Sequence, residues 1–266
     1  MFKYIGCYLD DDITLNRTFD VFMPEKVTQK TALFFIHGGG WTNGTKVDYH
    51  LIMRAYCERG FVCGSASYRL LSVSASNSIS AVEQLADCRE CYDGFVSFLK
   101  ENDLPTDIAV FGTSAGAHLA SLLICAEPGE CQEKCSLKNK WIKPVCGMLQ
   151  STPAFFEPWP ETYPAMWGMM ERAAGGRFEE APEKYRNLSL DRLIRPENPP
   201  LFFMEAEIED LFPSKYNKVL LEKHRSWGIP SEMKFYKGEH GFFYNLTRPV
   251  QLEAFEDIIQ FVQKIN

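Results

Sequence analysis

The 266-residue sequence has no uninterrupted apolar run near the length a membrane helix needs, about 20 residues. It has no excess of positive charge either. Lys and Arg number 28 against 35 Asp and Glu, a formal net charge of -7, and no Lys/Arg run stands out. Nucleic acid and anionic membranes both call for a basic face, so neither is expected as a main partner. Internal repeats and low-complexity linkers are absent. The opening MFKYIGCYLDDDITLN lacks the apolar core of a secretory signal and turns acidic early, which leads us to expect a cytoplasmic protein. Nine cysteines, an odd number scattered through apolar and polar stretches alike, suit reduced thiols better than a disulfide framework. Cys88 with Cys91 and Cys131 with Cys135 are close pairs. No partner pair of zinc-ligand spacing accompanies them, so no metal is expected. The sequons at Asn16, Asn43, Asn187 and Asn245 carry no meaning without secretion.

What is present is a good supply of core. Hydrophobic residues make up 45%, and short apolar runs alternate with amphipathic ones. Strands are expected at Thr18–Met23, Ala32–Ile36, Phe61–Tyr68, Ile108–Phe111, Val145–Gln150, Leu201–Glu205 and Glu232–Tyr236. Several are continuously apolar, as strands covered on both faces should be. A helix follows Ser80, whose spacing to Glu83 is that of a capping box. Another lies in SKYNKVLLEKHRSWG, with Tyr216, Val219, Leu220 and Trp227 on one side and Gly228 as its end. A last helix starts near Pro249 and carries Leu252, Phe255, Ile258, Ile259 and Val262. This alternation reads as a single α/β domain over 1–266 with a mostly parallel sheet flanked by helices. Ser151–Pro200, rich in Pro and aromatics, is too long for a βα loop and is expected to be an insertion with its own short helices, a cap or lid.

Two glycine motifs carry chemistry. Gly112–Gly116 reads GTSAG, between a strand and a helix. A sharp turn there lifts the Ser114 hydroxyl above the sheet edge, and the helix behind it aims N–H groups at the site. Upstream, the strand ending at Ile36 runs into HGGGW, His37–Trp41, whose glycines leave backbone N–H groups uncovered, as an oxyanion hole needs. A serine nucleophile requires a base. Of five histidines, His37 belongs to the glycine run, His50 and His118 sit in helices, and His224 falls in the polar stripe of a helix. His240, in a loop straight after a strand, is the base candidate. The orienting acid should come from the loop after Leu201–Met204, where Glu205, Glu207, Glu209 and Asp210 all compete.

The order HGGGW, YRL at Tyr68–Leu70, GTSAG with AHLA, a strand-loop acid and EHGF resembles the α/β-hydrolase superfamily. It is most similar to esterases of the hormone-sensitive-lipase-like and bacterial acetyl-xylan or feruloyl esterase (carboxylesterase) groups. The resemblance runs from about Phe19 to the last helix and is poorest over the insert. It implies an α/β-hydrolase fold, a serine hydrolase with no cofactor, and short-chain acyl esters as small-molecule substrates. That family's acid loop commonly reads G-x-x-D-x-x-V-P. Laid on EAEIEDLFP, its acid falls on Glu209, where this chain has Glu for the usual Asp, and Asp210 is the runner-up. The same resemblance implies Ser114 as nucleophile, His240 as base, and the N–H groups of Gly38, Gly39 and Ala115 as oxyanion donors. Trp41 and the insert aromatics Phe155, Phe156, Trp159 and Trp167 are candidates for substrate contact. The insert aromatics equally suit a small core of their own. An arylformamide hydrolase resembling kynurenine formamidase stays open beside the esterase, as does a catalytically silent binding module of the same fold.

Overall fold

The computed structural model describes residues 2–9, 17–71, 79–162 and 164–265, so the sequon at Asn16 lies outside the described residues. Eight strands form one sheet: β1 (Phe2–Tyr8), β2 (Thr18–Pro24), β3 (Thr31–Ile36), β4 (Cys63–Ser67), β5 (Asp107–Thr113), β6 (Cys146–Gln150), β7 (Leu201–Ile208) and β8 (Glu232–Glu239). Their spatial order is β1-β2-β4-β3-β5-β6-β7-β8. β2 runs antiparallel to both β1 and β4, and every pairing from β4 to β8 is parallel. The helices are α1 (His50–Glu58), α2 (Ala81–Glu101), α3 (Ala115–Cys125), α4 (Pro164–Ala174), α5 (Pro182–Asn187), α6 (Leu190–Leu193), α7 (Ser214–Ser226) and α8 (Pro249–Ile265).

Each face of the sheet has its own core. Neighbouring residues of β3 point to opposite sides, so Phe34 packs with Tyr92 and Phe95 of α2, while Phe35 packs with Tyr56 of α1 and Phe111. All of β3 is buried, which explains its unbroken apolar sequence. Ser80 and Glu83 form the expected capping box at the head of α2.

Three features differ from the sequence reading. β1 was not expected, because none of residues 2–7 is fully buried and the strand exists through its pairing with β2. α7 buries Asn217, Leu220, Leu221 and His224, and leaves Val219 and Trp227 exposed. The polar pair faces inward because each finds a partner: Asn217 donates to Glu205, and His224 Nδ1 and the Ser231 hydroxyl share a hydrogen bond at 2.6 Å. Leu252 is likewise on the exposed side of α8.

The stretch Ser151–Pro200 leaves the end of β6 and returns to β7, its neighbour in the sheet. It carries α4, α5 and α6. Buried His118 of α3 fastens it down. Its Nε2 donates to the Leu188 carbonyl at 2.7 Å, its ring stacks on Phe156, and its Nδ1 accepts from Trp41 Nε1 at 3.2 Å.

Candidate active site

Loops leaving the same ends of three parallel strands, β5, β7 and β8, bring three side chains together. Between β5 and α3, Ser114 takes φ 52 and ψ −123, which turns the chain sharply from strand to helix. Gly112 and Gly116 permit this turn. A Cβ on Gly116 would stand 2.2 Å from the Ile36 carbonyl oxygen, and one on Gly112 would stand 2.3 Å from the Gly116 oxygen. Ser114 N–H donates to the Gln150 carbonyl of β6, fixing the turn to the sheet. After β8, His240 places Nε2 2.8 Å from Ser114 Oγ. After β7, Glu209 offers both carboxyl oxygens to His240 Nδ1, at 2.9 and 2.8 Å. Those contacts put the Nδ1 proton on the carboxylate side and leave Nε2 free to accept from the serine hydroxyl.

Glu209 is only 5% exposed. Burial pushes its carboxyl up, but the hydrogen bond and charge of His240 lead a set of opposing interactions that hold it below the usual carboxylate value. The Leu211 N–H belongs to that set. Leu211 and Phe212 N–H both donate to Oε1, at 3.0 and 3.2 Å. Asp210, next in sequence, is exposed. Glu205 and Glu207 are not loop charges: both lie within β7, and Glu205 is fully buried.

A cavity of about 660 Å³ opens over Ser114 and His240. One wall is the backbone of Gly38–Gly44, the other Met166 and Met169 of α4 with Leu211 and Phe212. Gly38 sits against the nucleophile turn, where an added Cβ would stand 2.7 Å from the Thr113 oxygen and 3.4 Å from Ser114 Cβ. Ala115 begins α3, whose first N–H groups have no intrahelical acceptor. His37 braces the glycine run. Its Nδ1 donates to the Gly38 carbonyl at 2.8 Å, its ring stacks on Tyr68, and Tyr68 donates to the His37 carbonyl.

Of the aromatic candidates, Trp41 lines the cavity, though its side chain is buried and engaged with His118 and Phe156. Phe156 is wholly buried. Phe155 and Trp159 pack on Tyr216, and Trp167 on Phe178 and Tyr185. These four make up the insert's own packing and its seat on α7. Sequence reasoning missed Met166 and Met169, since nothing in their spacing marks a wall. It also missed Gln150. With its amide turned so that oxygen and nitrogen both find partners, the Gln150 carboxamide donates to Thr113 Oγ1 at 2.8 Å and accepts from the Phe242 and Phe243 N–H groups at 3.0 and 3.1 Å. It thereby ties the turn before Ser114 to the loop after His240.

Comparison with known proteins agrees with this picture. The BD-FAE family model matches residues 19–224. Esterase LipQ of Mycobacterium tuberculosis (strain ATCC 25618 / H37Rv) is 24% identical over 210 residues, covering 74% of this chain and 46% of that protein. The chain therefore spans about half the length of that curated relative. Esterase B from Lactobacillus rhamnosis (HN001) superposes with a TM-score of 0.79 at 18% identity, over 99% of this chain and 86% of the other. The propionate-bound thermophilic esterase Est2 of the planctomycete Thermogutta terrifontis gives 0.69 at 18% identity, over 100% and 94%. The strand order, the serine turn and the match over residues 19–224 together mean that this chain has the α/β-hydrolase fold and belongs to the BD-FAE family.

Proposed function

We propose that this protein is a serine carboxylesterase that cleaves short-chain acyl esters through a Ser114–His240–Glu209 triad. The observation that carries the reading is the continuous hydrogen-bonded chain from Ser114 Oγ through both nitrogens of His240 to Glu209. Ser114 Oγ attacks the ester carbonyl while His240 Nε2 takes its proton. Glu209, held ionised, fixes the Nδ1–H tautomer and stabilises the imidazolium that forms. The N–H groups of Gly38, Gly39 and Ala115 receive the oxyanion. Each such donor is worth about 10²–10³ in rate. His240 returns its proton to the departing alcohol. It then activates water to split the acyl-enzyme, which releases the acid and restores Ser114.

The apolar wall of Met166, Met169, Leu211 and Phe212 suits a small acyl group, and among the described lining residues there is no Lys or Arg, which suits a neutral ester. The propionate held by the Thermogutta esterase supports the same acyl range. Because α4 supplies two wall residues, we read the insert as a cap that touches substrate. The nine free thiols suit a reducing, cytoplasmic setting.

The test is kcat/KM over nitrophenyl esters of rising acyl length, acetylated and feruloylated oligosaccharides, and N-formylkynurenine. Short acyl esters should be cleaved best, and Ser114→Ala should lower kcat by about 10⁴-fold or more with the fold intact. Full activity in Ser114→Ala sinks the mechanism. A preference for the formamide moves the reading to an arylformamide hydrolase.

A further inference from the structure

Most buried carboxylates of this protein have an evident reason to be charged. Asp20 meets Lys46 and His50, Asp87 meets Arg17 and Arg69, and Glu133 meets Arg89. Asp93 accepts from the backbone N–H groups of Lys138 and Asn139. Glu205 has no such company. It is fully buried in β7, four residues before Glu209, and among the described residues no cation pairs with it. Its Oε1 accepts from Asn217 Nδ2 of α7 at 2.9 Å, and the same amide nitrogen donates to the Thr152 carbonyl at 3.0 Å. Its Oε2 has no protein partner, nor have the neighbouring acceptors Asn217 Oδ1 and Thr152 Oγ1.

This cluster joins β7, α7 and the segment leaving β6 immediately behind the Glu209 loop. Thr152 is the second residue past the end of β6. The charged groups on the surrounding elements are few. Glu209 is on the same strand-loop. Lys218 of α7 is exposed, with its ammonium over the Phe235 ring. On β8, Lys234 is engaged by Glu253 and Asp257, and Lys237 is exposed. Gln150, Ser151 and Thr152 on the β6 side are neutral. A charged Glu205 would therefore confront Glu209 with like charge, opposed only by the exposed Lys218 ammonium, which does not pair with it. A neutral Glu205 has an O–H to give, and the unsatisfied Asn217 Oδ1 and Thr152 Oγ1 can each accept one.

We propose that Glu205 is a positioning residue that works as a neutral carboxylic acid, clamping the triad-acid loop through Asn217 and Thr152, and that its ionisation sets the alkaline limit of activity. The proposal rests on the Ser114–His240–Glu209 reading above. Burial pushes the Glu205 carboxyl up to about 8 against the pull of the Asn217 hydrogen bond, and the Glu209 charge adds to the rise. Ionisation at that point weakens the clamp and sets a second anion behind Glu209.

The experiment follows kcat/KM for a short-chain neutral ester from about pH 6 to about pH 9.5. It compares wild type, Glu205→Gln and Glu205→Met, each normalised to its own plateau, with Ser114→Ala as the control for the mechanism. Difference infrared spectra over the same range follow the carbonyl stretch of a buried protonated acid. The expected result is a fall in wild-type activity centred near pH 8, where Glu205 titrates, with loss of the infrared band in step. Both features should be missing from the two variants. An unchanged alkaline fall in Glu205→Gln overturns the proposal, and so does a uniform loss with no change of profile. Should neither variant fold, the wild-type spectrum decides. No protonated-acid band at neutral pH overturns the proposal, and a band fading together with activity supports it. Activity in Ser114→Ala would instead count against the triad, and the infrared result would stand apart from it.

Discussion

Glu209 and Asp210 are adjacent carboxylates in opposite situations. One is nearly buried and bonded to His240 and to two backbone N–H groups, and the other faces solvent. On the proposed triad, Glu209→Gln removes the charge that would stabilise the imidazolium, so kcat should fall by about 10²–10⁴-fold. Asp210→Asn should stay within about threefold of wild type, since an exposed charge acts weakly through water. Matched kinetics on the two variants check the order, and a larger loss in Asp210→Asn would reassign the acid. At this scale the sequence was most legible where chemistry and backbone geometry coincide. A serine between glycines, after a strand, has few other uses. The crowd of carboxylates in EAEIED could not be sorted by composition, because what separates Glu205 from Glu209 is where β7 ends: Glu205 lies inside the strand with its side chain in the core, and Glu209 lies just past the strand end beside His240.

At the scale of elements, the strands of the parallel sheet were legible because burial on both faces forces long apolar runs. β1 and the inner face of α7 were not, because pairing with β2 and polar partners replace apolar pattern there. Gln150 belongs to this scale, since its carboxamide couples the ends of β5 and β8 through β6. Gln150→Ala should lower kcat about 10-fold or more with little change in KM, as the Ser114–His240 distance loses its brace. A rise in KM alone would count against that role. Met169 is the wall residue nearest the glycine run, with its sulfur 3.2 Å from where a Cβ on Gly40 would stand. Met169→Ala should shift the preferred acyl chain toward longer members of the ester series, and an unchanged preference would remove α4 from substrate selection.

For the molecule as a whole, buried titratable groups set how stability varies with pH. Burial pulls His118 and His224 down from 6.5 to about 4, so both are neutral in the fold. The unfolded chain takes up protons there first, so their contribution is complete above pH 6.5 and is lost as pH falls toward 4. Glu205 works in the other direction. The unfolded chain releases its proton from pH 4.5 upward while the fold keeps it to about 8, so its burial costs more stability as pH climbs through that window. Denaturant midpoints should pass through a maximum in the mildly acidic range. Glu205→Gln should raise Tm by about 5 °C at pH 8 and little at pH 5. An equal change at both values would mean that Glu205 is charged in the fold. The route of Ser151–Pro200 has a different consequence. It departs from one strand and rejoins the adjacent one, while Ser114, His240 and Glu209 all come from loops outside it. Past its Ser151–Thr152 start, the segment can thus be exchanged as a module: descendants or designs that keep that start and the His118 anchorage should retain the chemistry while acquiring a new substrate range.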